Sequence, residues 1–468
     1  MTRTKKLIQN SIIFTLGNIG SKLITFIMVP LYTYIFSKSE YGEIDVLITT
    51  VNLFLPIITL SIFDSVFRFS MDKKENKSAI LSSGLMVTVI LSLVAIIFIP
   101  LLSFWHIRFG IYFTLILIIM SIFTLIQNFA RAIGHSKVYA TAGIINGLTF
   151  AILNIIFLFI LKLGIKGYFI SYVISLFVAI IYISLMIKIW NYIDVRSFSI
   201  ENTIKMLKYS IPLIPNSLAW WLTNDASRFF ILAYVGVTGN GIFAVANKIP
   251  SLLNMMFNIF TQAWQISAVE EYDSSDSDSY YSSIFNTLMS YLFLIVGCIL
   301  LIIKPLLNTV VSSNYTDVWK YVPVLLFSAT FSNLSGFLGT VFLAAKKTTG
   351  LFTTTGIGMI VNVLFSWILT SKIGIIGTSL GGAIGFLVVM IIRLHTIKKY
   401  IYVKIDWKKF LFSLTGTIMM SCGIYLSGLN EELVLLIGLT ILIVTNFSIF
   451  KLVYKLLSQF IVRLNKSK

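Results

Sequence analysis

The chain has 468 residues, of which 57% are hydrophobic and only 12% are charged, and its mean hydropathy is +0.92. Soluble domains carry about twice that share of charged residues, so the composition excludes a soluble protein. There are 36 Lys and Arg against 18 Asp and Glu. We interpret this basic excess as a topology signal and as attraction to anionic membrane lipids, rather than to nucleic acid.

Apolar runs of membrane-spanning length recur along the whole chain. About 20 apolar residues cross a bilayer as one helix. Fourteen such runs lie near residues 8–36, 44–69, 79–103, 110–132, 139–161, 167–190, 209–235, 242–268, 282–303, 321–345, 350–371, 374–397, 410–428 and 433–456. The sequence therefore predicts an all-α polytopic membrane protein with about 14 transmembrane helices.

Basic residues set the predicted orientation, because Lys and Arg concentrate in cytoplasmic loops. With a cytoplasmic N-terminus, the clusters near residues 3–6, 73–77 and 398–409 and the basic tail all lie inside. An even number of spans then places both termini in the cytoplasm. The first span is too long for a cleaved signal peptide and lacks a small-residue cleavage site, so we expect it to be retained.

The first two spans carry buried charges. Asn18 and Lys22 share one face of span one. A charge at the centre of a bilayer costs roughly 3 kcal/mol on insertion scales, so such a residue is expected to face a hydrated cavity or a charged partner. Asp64 and Arg68, near the cytoplasmic end of span two, are either an inner gate pair or a surface pair at the headgroup level.

The two halves of the chain show a weak internal repeat in the same orientation. A shift of 199 aligns Tyr41-Gly42 with Asn240-Gly241, and a shift of 210 aligns the turn 164–167 with 374–377. Small residues at every fourth position follow both of these turns, which predicts close helix packing. We expect two six-helix lobes around a central cavity, with the N-lobe at 1–190, an interfacial linker at 191–208, the C-lobe at 209–397, and an amphipathic linker, helices 13–14 and a basic tail at 398–468.

Spans seven and eight have the most pronounced polar faces. Trp221, Asn224 and Arg228 share a face of span seven, where Asp225 can pair with Arg228 three residues later. Span eight carries a polar stripe formed by Lys248, Ser251, Asn254, Asn258, Gln262 and Gln265. Lipid offers such a stripe no partners, so we predict a hydrated cavity; the alternative is hydrogen bonding between helices.

Prolines and aromatic residues complete the candidate site. Pro30, Pro56, Pro212, Pro215 and Pro250 fall in spans one, two, seven and eight, where each is expected to kink its helix. Pro30 and Pro250 are gate candidates. Trp221 is a candidate for stacking on sugar rings, whereas Tyr32, Tyr34 and Trp264 are assigned to packing or to the membrane interface.

Several short motifs resemble those of a known family. They are Gly17-Asn18-Ile19-Gly20-Ser21-Lys22, Pro30-Leu31-Tyr32-Thr33, Ser39-Glu40-Tyr41-Gly42, Arg131-Ala132-Ile133-Gly134, Asn224-Asp225 with Arg228, and Asn247-Lys248-Ile249. In this order and spacing the chain resembles polysaccharide flippases of the Wzx type, in the multidrug/oligosaccharidyl-lipid/polysaccharide (MOP) exporter superfamily.

The resemblance implies a function and a set of contacts. A flippase of this type moves an undecaprenyl-diphosphate-linked oligosaccharide across the bacterial cytoplasmic (inner) membrane by alternating access, for capsule, O-antigen or a related surface polysaccharide. Lys22, Arg228 and Lys248 would contact the diphosphate or acidic sugars, and Asp225 would orient Arg228. Asn18, Asn224, Trp221 and Asn258 are further candidate substrate contacts. We expect a monomer without a cofactor, with possible coupling to an H⁺ or Na⁺ gradient and contacts to other polysaccharide assembly proteins.

Three alternatives remain open at this point. A cation-coupled multidrug exporter of the same superfamily would favour an acid-rich cavity. Asp276-Ser277-Asp278 matches the metal-binding DxD pattern of glycosyltransferases, although a solvated loop is the favoured interpretation. A membrane polysaccharide polymerase would need a large external loop, and the longest outer segment here is about residues 304–320.

Cys298, Cys422 and the three histidines form no disulfide or metal pattern.

Overall fold

A computed structural model of the chain describes residues 24, 26–72, 74–97, 109–345 and 347–448. Within these ranges the regular secondary structure is entirely helical, so the predicted all-α fold is confirmed. Two compact units are present: in the described part of the chain, the first extends to Phe229 and includes Val237–Gly241, and the second comprises Phe230–Gly236 and the chain from Ile242 onward. The predicted six-helix lobes and their boundaries stay a prediction.

Eighteen α-helices form the described chain. They are α1 (Val29–Ile35), α2 (Lys38–Ile58), α3 (Ile62–Ser70), α4 (Lys77–Ile97), α5 (Gly110–Ala132), α6 (Ser136–Asn154), α7 (Gly164–Ile187), α8 (Ile200–Ser210), α9 (Ile214–Asn224), α10 (Ser227–Tyr234), α11 (Val237–Ala246), α12 (Lys248–Glu270), α13 (Ser277–Val310), α14 (Val322–Ala344), α15 (Thr348–Ile373), α16 (Ile375–Thr396), α17 (Trp407–Gly423) and α18 (Leu429–Thr445). A π-helical segment, Ile155–Ile160, extends α6, and short 3₁₀ helices include Ile211–Leu213 and Ser313–Lys320.

Nine helices in the described ranges are long and apolar enough to cross a membrane. These are α2, α4, α5, α6 with its π extension, α7, α13, α14, α15 and α16, and they correspond to predicted spans two to six and nine to twelve. Most of span one lies outside the described residues. The other predicted spans are broken, polar or shorter, as α9 to α12, α17 and α18 show.

Spans two and seven are not the continuous helices that the sequence predicted. Span two divides at Leu60 and Ser61, whose positive φ angles of 49° and 51° stop α2 before α3 begins. Left-handed backbone at a residue with a β-carbon costs about 1–2 kcal/mol, so this break interrupts the helix rather than bending it. Span seven divides into a 3₁₀ turn, α9 and α10. Hydropathy averaged over a window does not detect such interruptions.

Interruptions of the helices lie just before most of these prolines. Pro30 and Pro215 occupy the first turns of α1 and α9, and Pro250 is the third residue of α12, which only Asn247 separates from α11. A proline has no amide hydrogen and clashes with the carbonyl four residues earlier, so it kinks or breaks a helix at such a place. Pro56 does lie inside α2, one turn before that helix ends.

The hydrophobic core of the first unit joins the linker to the membrane-spanning helices. Ile62, Leu81, Phe129 and Met206 are among its fully buried residues, contributed by α3, α4, α5 and α8. The Ser65 hydroxyl donates to the Met206 carbonyl at 2.6 Å. Helix α8 covers much of the predicted interfacial linker, and it packs on the first unit through its apolar face.

Small residues in the second unit pack as the repeat predicted. In α16, a β-carbon at Gly381 would lie 2.4 Å from the Ser366 amide nitrogen of α15, closer than any real contact. The corresponding residues of α7, Gly167, Ser171 and Ser175, are also buried. The two matched turns begin with Gly164 and Gly374, at φ +57° and +61°. Each turn therefore needs glycine at its first position.

Candidate functional site

Arg228 lies in the first unit, directly after an interruption between two short helices. Helix α9 ends at Asn224, Asp225 is its C-cap, and α10 begins at Ser227. The sequence had suggested that Asp225 and Arg228 share one continuous helix, but the interruption separates them. The turn between them still brings the two side chains together, because the Arg228 amide donates to the Asp225 carbonyl at 3.2 Å.

Two carboxylates hold the Arg228 guanidinium. Its Nη1 donates to Asp225 Oδ1 at 2.8 Å, which confirms the predicted pair, and its Nε donates to Asp45 Oδ2 at 2.6 Å. Arg228 is only 9% exposed. The formal charges of these three side chains sum to −1. We refer to Asp45, Arg228 and Asp225 as the acidic cluster.

The sequence reasoning did not identify Asp45. It lies on α2, in the opening turns of predicted span two, 183 positions before Arg228. The available signal was an acidic residue one turn after Gly42, in a helix that carries no other charge beyond its first two turns. Its partner could not be read from the sequence because the contact depends on the break after α9.

The surroundings of the acidic cluster fix its position. The Trp221 indole Nε1 donates to the Thr49 carbonyl of α2 at 3.0 Å. The buried Asn240 Nδ2 donates to the Arg228 carbonyl at 2.9 Å. Gly42 lies so close to α11 that a β-carbon there would be 2.1 Å from the Val237 carbonyl oxygen. These contacts hold α2 tightly against the Arg228 segment.

Trp221 packs against Phe229 with ring centroids 5.4 Å apart, and it is half-buried. Its only ring donor is already bonded to Thr49. Stacking of Trp221 on a sugar ring stays a prediction. Asn224 is exposed, and its Nδ2 donates to the Trp220 carbonyl one turn earlier.

Helix α12 of the second unit carries the predicted polar stripe on a single helix. Lys248 is its first residue and is half-buried, while Ser251, Asn258 and Gln265 are exposed. Another face of the helix is buried through Leu253, Phe257, Trp264 and Ala268. This helix is 23 residues long, about 35 Å at 1.5 Å per residue, so it has membrane-spanning length with one polar face.

Trp264 is a packing residue, as predicted. Its ring stacks on Phe337 at 4.7 Å between centroids, and its Nε1 donates to the Thr340 hydroxyl at 2.9 Å. Tyr32 is likewise buried, against Phe36, Tyr41 and Tyr168, whereas Tyr34 is 67% exposed.

The two candidate gate residues of α3 lie at its two ends. Asp64 lies in the first turn and Arg68 in the last. Arg68 is exposed while Asp64 is half-buried, so the two side chains face different surroundings. A gate role for either residue, or for Pro30 and Pro250, stays a prediction. Asn18 and Lys22 lie outside the described residues.

A second buried arginine in the described chain, Arg393 of α16, was missed by the sequence reasoning. It is 6% exposed and donates to the hydroxyls of Thr354 and Thr355 and, at 2.7 Å, to the Ser335 carbonyl. Its hydrogen bonds therefore link α14, α15 and α16. Its signal was a lone arginine in the apolar span twelve.

The acidic loop between α12 and α13 has a structural account. The Asp278 carboxylate accepts a hydrogen bond from the Tyr402 amide at 2.8 Å, and Asp276 is the N-cap residue of α13. In the described ranges, no group of three or more His, Cys, Asp or Glu residues is arranged to hold a metal ion. Asp278 of the DxD pattern thus anchors the chain at residue 402.

An apolar cavity of about 460 Å³ also lies in the second unit, among α14, α16 and α17. It is lined by Pro323, Val324, Phe327, Phe331, Leu380, Ala383, Leu414, Ile418, Ser421, Cys422 and Tyr425. None of these is a predicted substrate contact. The lining offers no charge, so the cavity does not suit a charged headgroup.

The sequence places the protein in a family. Residues 7–265 match the family model described as polysaccharide biosynthesis protein, which is more than half of the chain. The chain belongs to this family. No match is found among curated protein sequences.

Solved structures of several transporters share the fold of this family member. The lipid II flippase MurJ, in an inward closed conformation, matches with a TM-score of 0.67 at 16% identity, over 95% of this chain and 99% of that chain. A mutant of the Vibrio cholerae MATE transporter VcmN matches at 0.58 and 16% identity, over 84% and 96%. A MOP superfamily transporter from Pyrococcus furiosus matches at 0.59 and 16%, over 88% and 96%.

These similarities define the protein at a general level. It belongs to the polysaccharide biosynthesis family, and it is a multi-pass membrane protein with the MurJ- and MATE-like fold of about 14 transmembrane helices. The predicted fold is therefore confirmed. The substrate is a separate question, which depends on the site residues.

Proposed function

We propose that the protein translocates an undecaprenyl-diphosphate-linked oligosaccharide across the bacterial cytoplasmic membrane by alternating access, for surface polysaccharide assembly. Membership of the polysaccharide biosynthesis family is the observation that carries this proposal. The fold shared with a lipid II flippase supports a lipid-linked substrate. Both termini would be cytoplasmic, and the transporter would act as a monomer beside other assembly proteins.

The polar face of α12 supports a hydrophilic substrate head. Ser251, Asn258 and Gln265 are exposed on a helix of membrane-spanning length. Hydrocarbon cannot satisfy amide and hydroxyl groups, so this face suits a water-filled path for sugars. In this proposal Asn258 and Asn224 hydrogen-bond sugar hydroxyls, and the lipid tail stays in the membrane.

Cationic side chains would hold the diphosphate. Lys248 stands at the start of the polar face, and in this proposal it contacts phosphate oxygens together with Lys22 and Arg228. A lysine ammonium binds phosphate as a compact point charge, and an arginine can add two parallel hydrogen bonds. Asn18 would line the same path. Coupling to an H⁺ or Na⁺ gradient is part of the proposal.

The direct test of the substrate is the lipid that copurifies with the protein. Native mass spectrometry of the protein, extracted gently from a bacterium that makes a lipid-linked oligosaccharide, should reveal an undecaprenyl-diphosphate adduct. Lys248→Ala should reduce the bound fraction, whereas Lys372→Ala, an exposed lysine of α15, should leave it unchanged. An adduct of equal abundance in both variants would contradict the role of Lys248.

A cation-coupled multidrug exporter is the second candidate function. The acidic cluster favours it, because two carboxylates face a single guanidinium. An exporter of this type would extrude cationic dyes from loaded vesicles and carry no polyprenyl lipid. Dye export without a bound polyprenyl lipid would replace the flippase proposal.

A further inference from the structure

The acidic cluster presents an imbalance of charge inside a membrane protein. Asp45 and Asp225 both bond to Arg228, at 2.6 and 2.8 Å. Their side chains are 19% and 32% exposed, and that of Arg228 is 11% exposed. Within the described residues, one guanidinium charge therefore bonds to two carboxylates, in a membrane protein where an unpaired buried charge costs several kcal/mol.

Among the described residues, few further charges lie on the elements around the cluster. Lys38, Glu40 and Glu43 lie on the first two turns of α2, and Glu40 is bonded to Ser37 in a capping box. Helices α9 and α11 contain no charged residue. The phenols of Tyr41 on α2 and Tyr168 on α7 also interact with the cluster, and a phenol is ordinarily neutral at pH 7.

An anionic substrate must compete with these carboxylates for Arg228. The guanidinium donates Nε to one carboxylate and Nη1 to the other. Each edge of the guanidinium that can give a phosphate two parallel hydrogen bonds includes one of these two nitrogens, so the phosphate competes there with a carboxylate. A carboxylate that loses its cation in a medium of low dielectric constant is stabilised by taking up a proton.

We propose that Asp45 and Asp225 form a proton site that is linked to substrate binding through Arg228. When the diphosphate binds Arg228, the released carboxylate takes up a proton from the solvent. When both carboxylates bond to Arg228 again, the proton is released and the binding of the diphosphate is weakened. This inference rests on the proposed function, and it deepens it by assigning the proton-coupling step to named residues. Asp45 then competes with the substrate's diphosphate for the guanidinium of Arg228.

The linkage has a measurable sign. If one proton is taken up with the substrate, affinity falls by up to about tenfold for each unit of rising pH, because each unit of pH changes the free energy of a proton by 1.36 kcal/mol. Asp45→Asn removes one competing charge but preserves the side-chain size. It should tighten binding at pH 8 and flatten the pH dependence.

The experiment measures binding of undecaprenyl diphosphate to the purified full chain between pH 6 and 8.5, in Na⁺ and in choline buffers. The variants are wild type, Asp45→Asn, Asp225→Asn, and Glu431→Gln as control, since Glu431 forms an ion pair with Lys304 in the second unit. The diphosphate's own titration is common to all four proteins. A difference between variants in the slope of affinity against pH is therefore due to the acidic cluster.

We expect a steeper slope in wild type and Glu431→Gln than in either Asp variant. Equal slopes in all four proteins, with wild type binding normally, would overturn the proton site alone. Binding that depends on Na⁺ and not on pH would overturn the assignment to protons. Failure of wild type to bind at any pH would overturn the proposed function, and this inference with it.

Discussion

Substitution of Gly42 by alanine tests the close approach on which the acidic cluster depends. An added β-carbon would lie 2.1 Å from the Val237 carbonyl oxygen and 2.9 Å from the Gly241 nitrogen. Ordinary contact begins near 3.4 Å, so the overlap is 1.3 Å and the obstacle is backbone. Overpacking lowers the free energy of unfolding by about 1–3 kcal/mol, and because the backbone cannot move aside easily, we expect Gly42→Ala to lower it by about 3 kcal/mol.

The loss is measurable as a lower melting temperature. For a unit of this size, 1 kcal/mol corresponds to about 2–4 °C, so Gly42→Ala should melt about 6–12 °C below wild type in the same detergent. Gly356→Ala is the matched control, because no atom lies within 4 Å of its added β-carbon and alanine favours a helix. It should melt at or slightly above the wild-type temperature.

The assay is thermal unfolding of purified protein, followed by tryptophan fluorescence and by the monomer peak in size-exclusion chromatography. If Gly42→Ala and Gly356→Ala melt together, α2 does not approach Val237 as closely as the structure shows. The positioning of Asp45 beside Arg228 would then lose its basis.

Three further predictions concern other parts of the chain. Arg393→Ala should lower the free energy of unfolding by on the order of 3 kcal/mol, and with it the melting temperature, because three guanidinium hydrogen bonds to α14 and α15 are lost. Lys372→Ala, at an exposed position, should leave the melting temperature unchanged. Equal effects of the two substitutions would contradict a stabilising role for Arg393. Trp221→Phe should cost about 1 kcal/mol by removing the bond to the Thr49 carbonyl, and an unchanged melting temperature would mean that the bond is dispensable. The Ser197 hydroxyl and the Arg196 amide lower the pKa of the Asp194 carboxyl, outside the membrane. The ionised Asp194 carboxylate therefore stabilises the fold above the usual pKa of Asp, and this stabilisation is lost as the pH falls through the lowered pKa. Between pH 5 and 3 the melting temperature of Asp194→Asn should depend less on pH than that of wild type. Parallel curves of melting temperature against pH would contradict this.

Hydropathy and small-residue patterns predicted most of the described fold. Spans two to six and nine to twelve correspond to membrane-length helices, and the turns at Gly164 and Gly374 both need left-handed backbone. These features are local, since each depends on one run of residues. The alignment of Tyr41-Gly42 with Asn240-Gly241 also proved informative, because the two glycines meet directly.

The acidic cluster was only partly predictable. The Asp225–Arg228 pair follows from a spacing of three, but Asp45 approaches Arg228 from 183 positions away. That contact depends on the interruption after Asn224, which no window of hydropathy reveals. The same limit explains Arg393, whose hydroxyl partners lie about 40 positions earlier in the chain.

The prolines mark places where two of the predicted spans are interrupted. Pro215 and Pro250 fall within the first three residues of α9 and α12, directly after a 3₁₀ turn and after Asn247. A proline removes the hydrogen bond to the carbonyl four residues earlier, so the helix is disturbed just before it. The sequence predicted these places, but it did not show that the helices would be divided there.

Transport itself is the most direct test of the proposed function. Proteoliposomes containing the full chain and a fluorescent undecaprenyl-diphosphate oligosaccharide should move the labelled lipid between leaflets, as measured by quenching with a reagent that cannot cross the membrane. We predict flipping by wild type, strongly reduced flipping by Lys248→Ala, and wild-type rates in Lys372→Ala. Wild-type vesicles that leave the labelled lipid in its original leaflet, yet export a cationic dye, would contradict the flippase account.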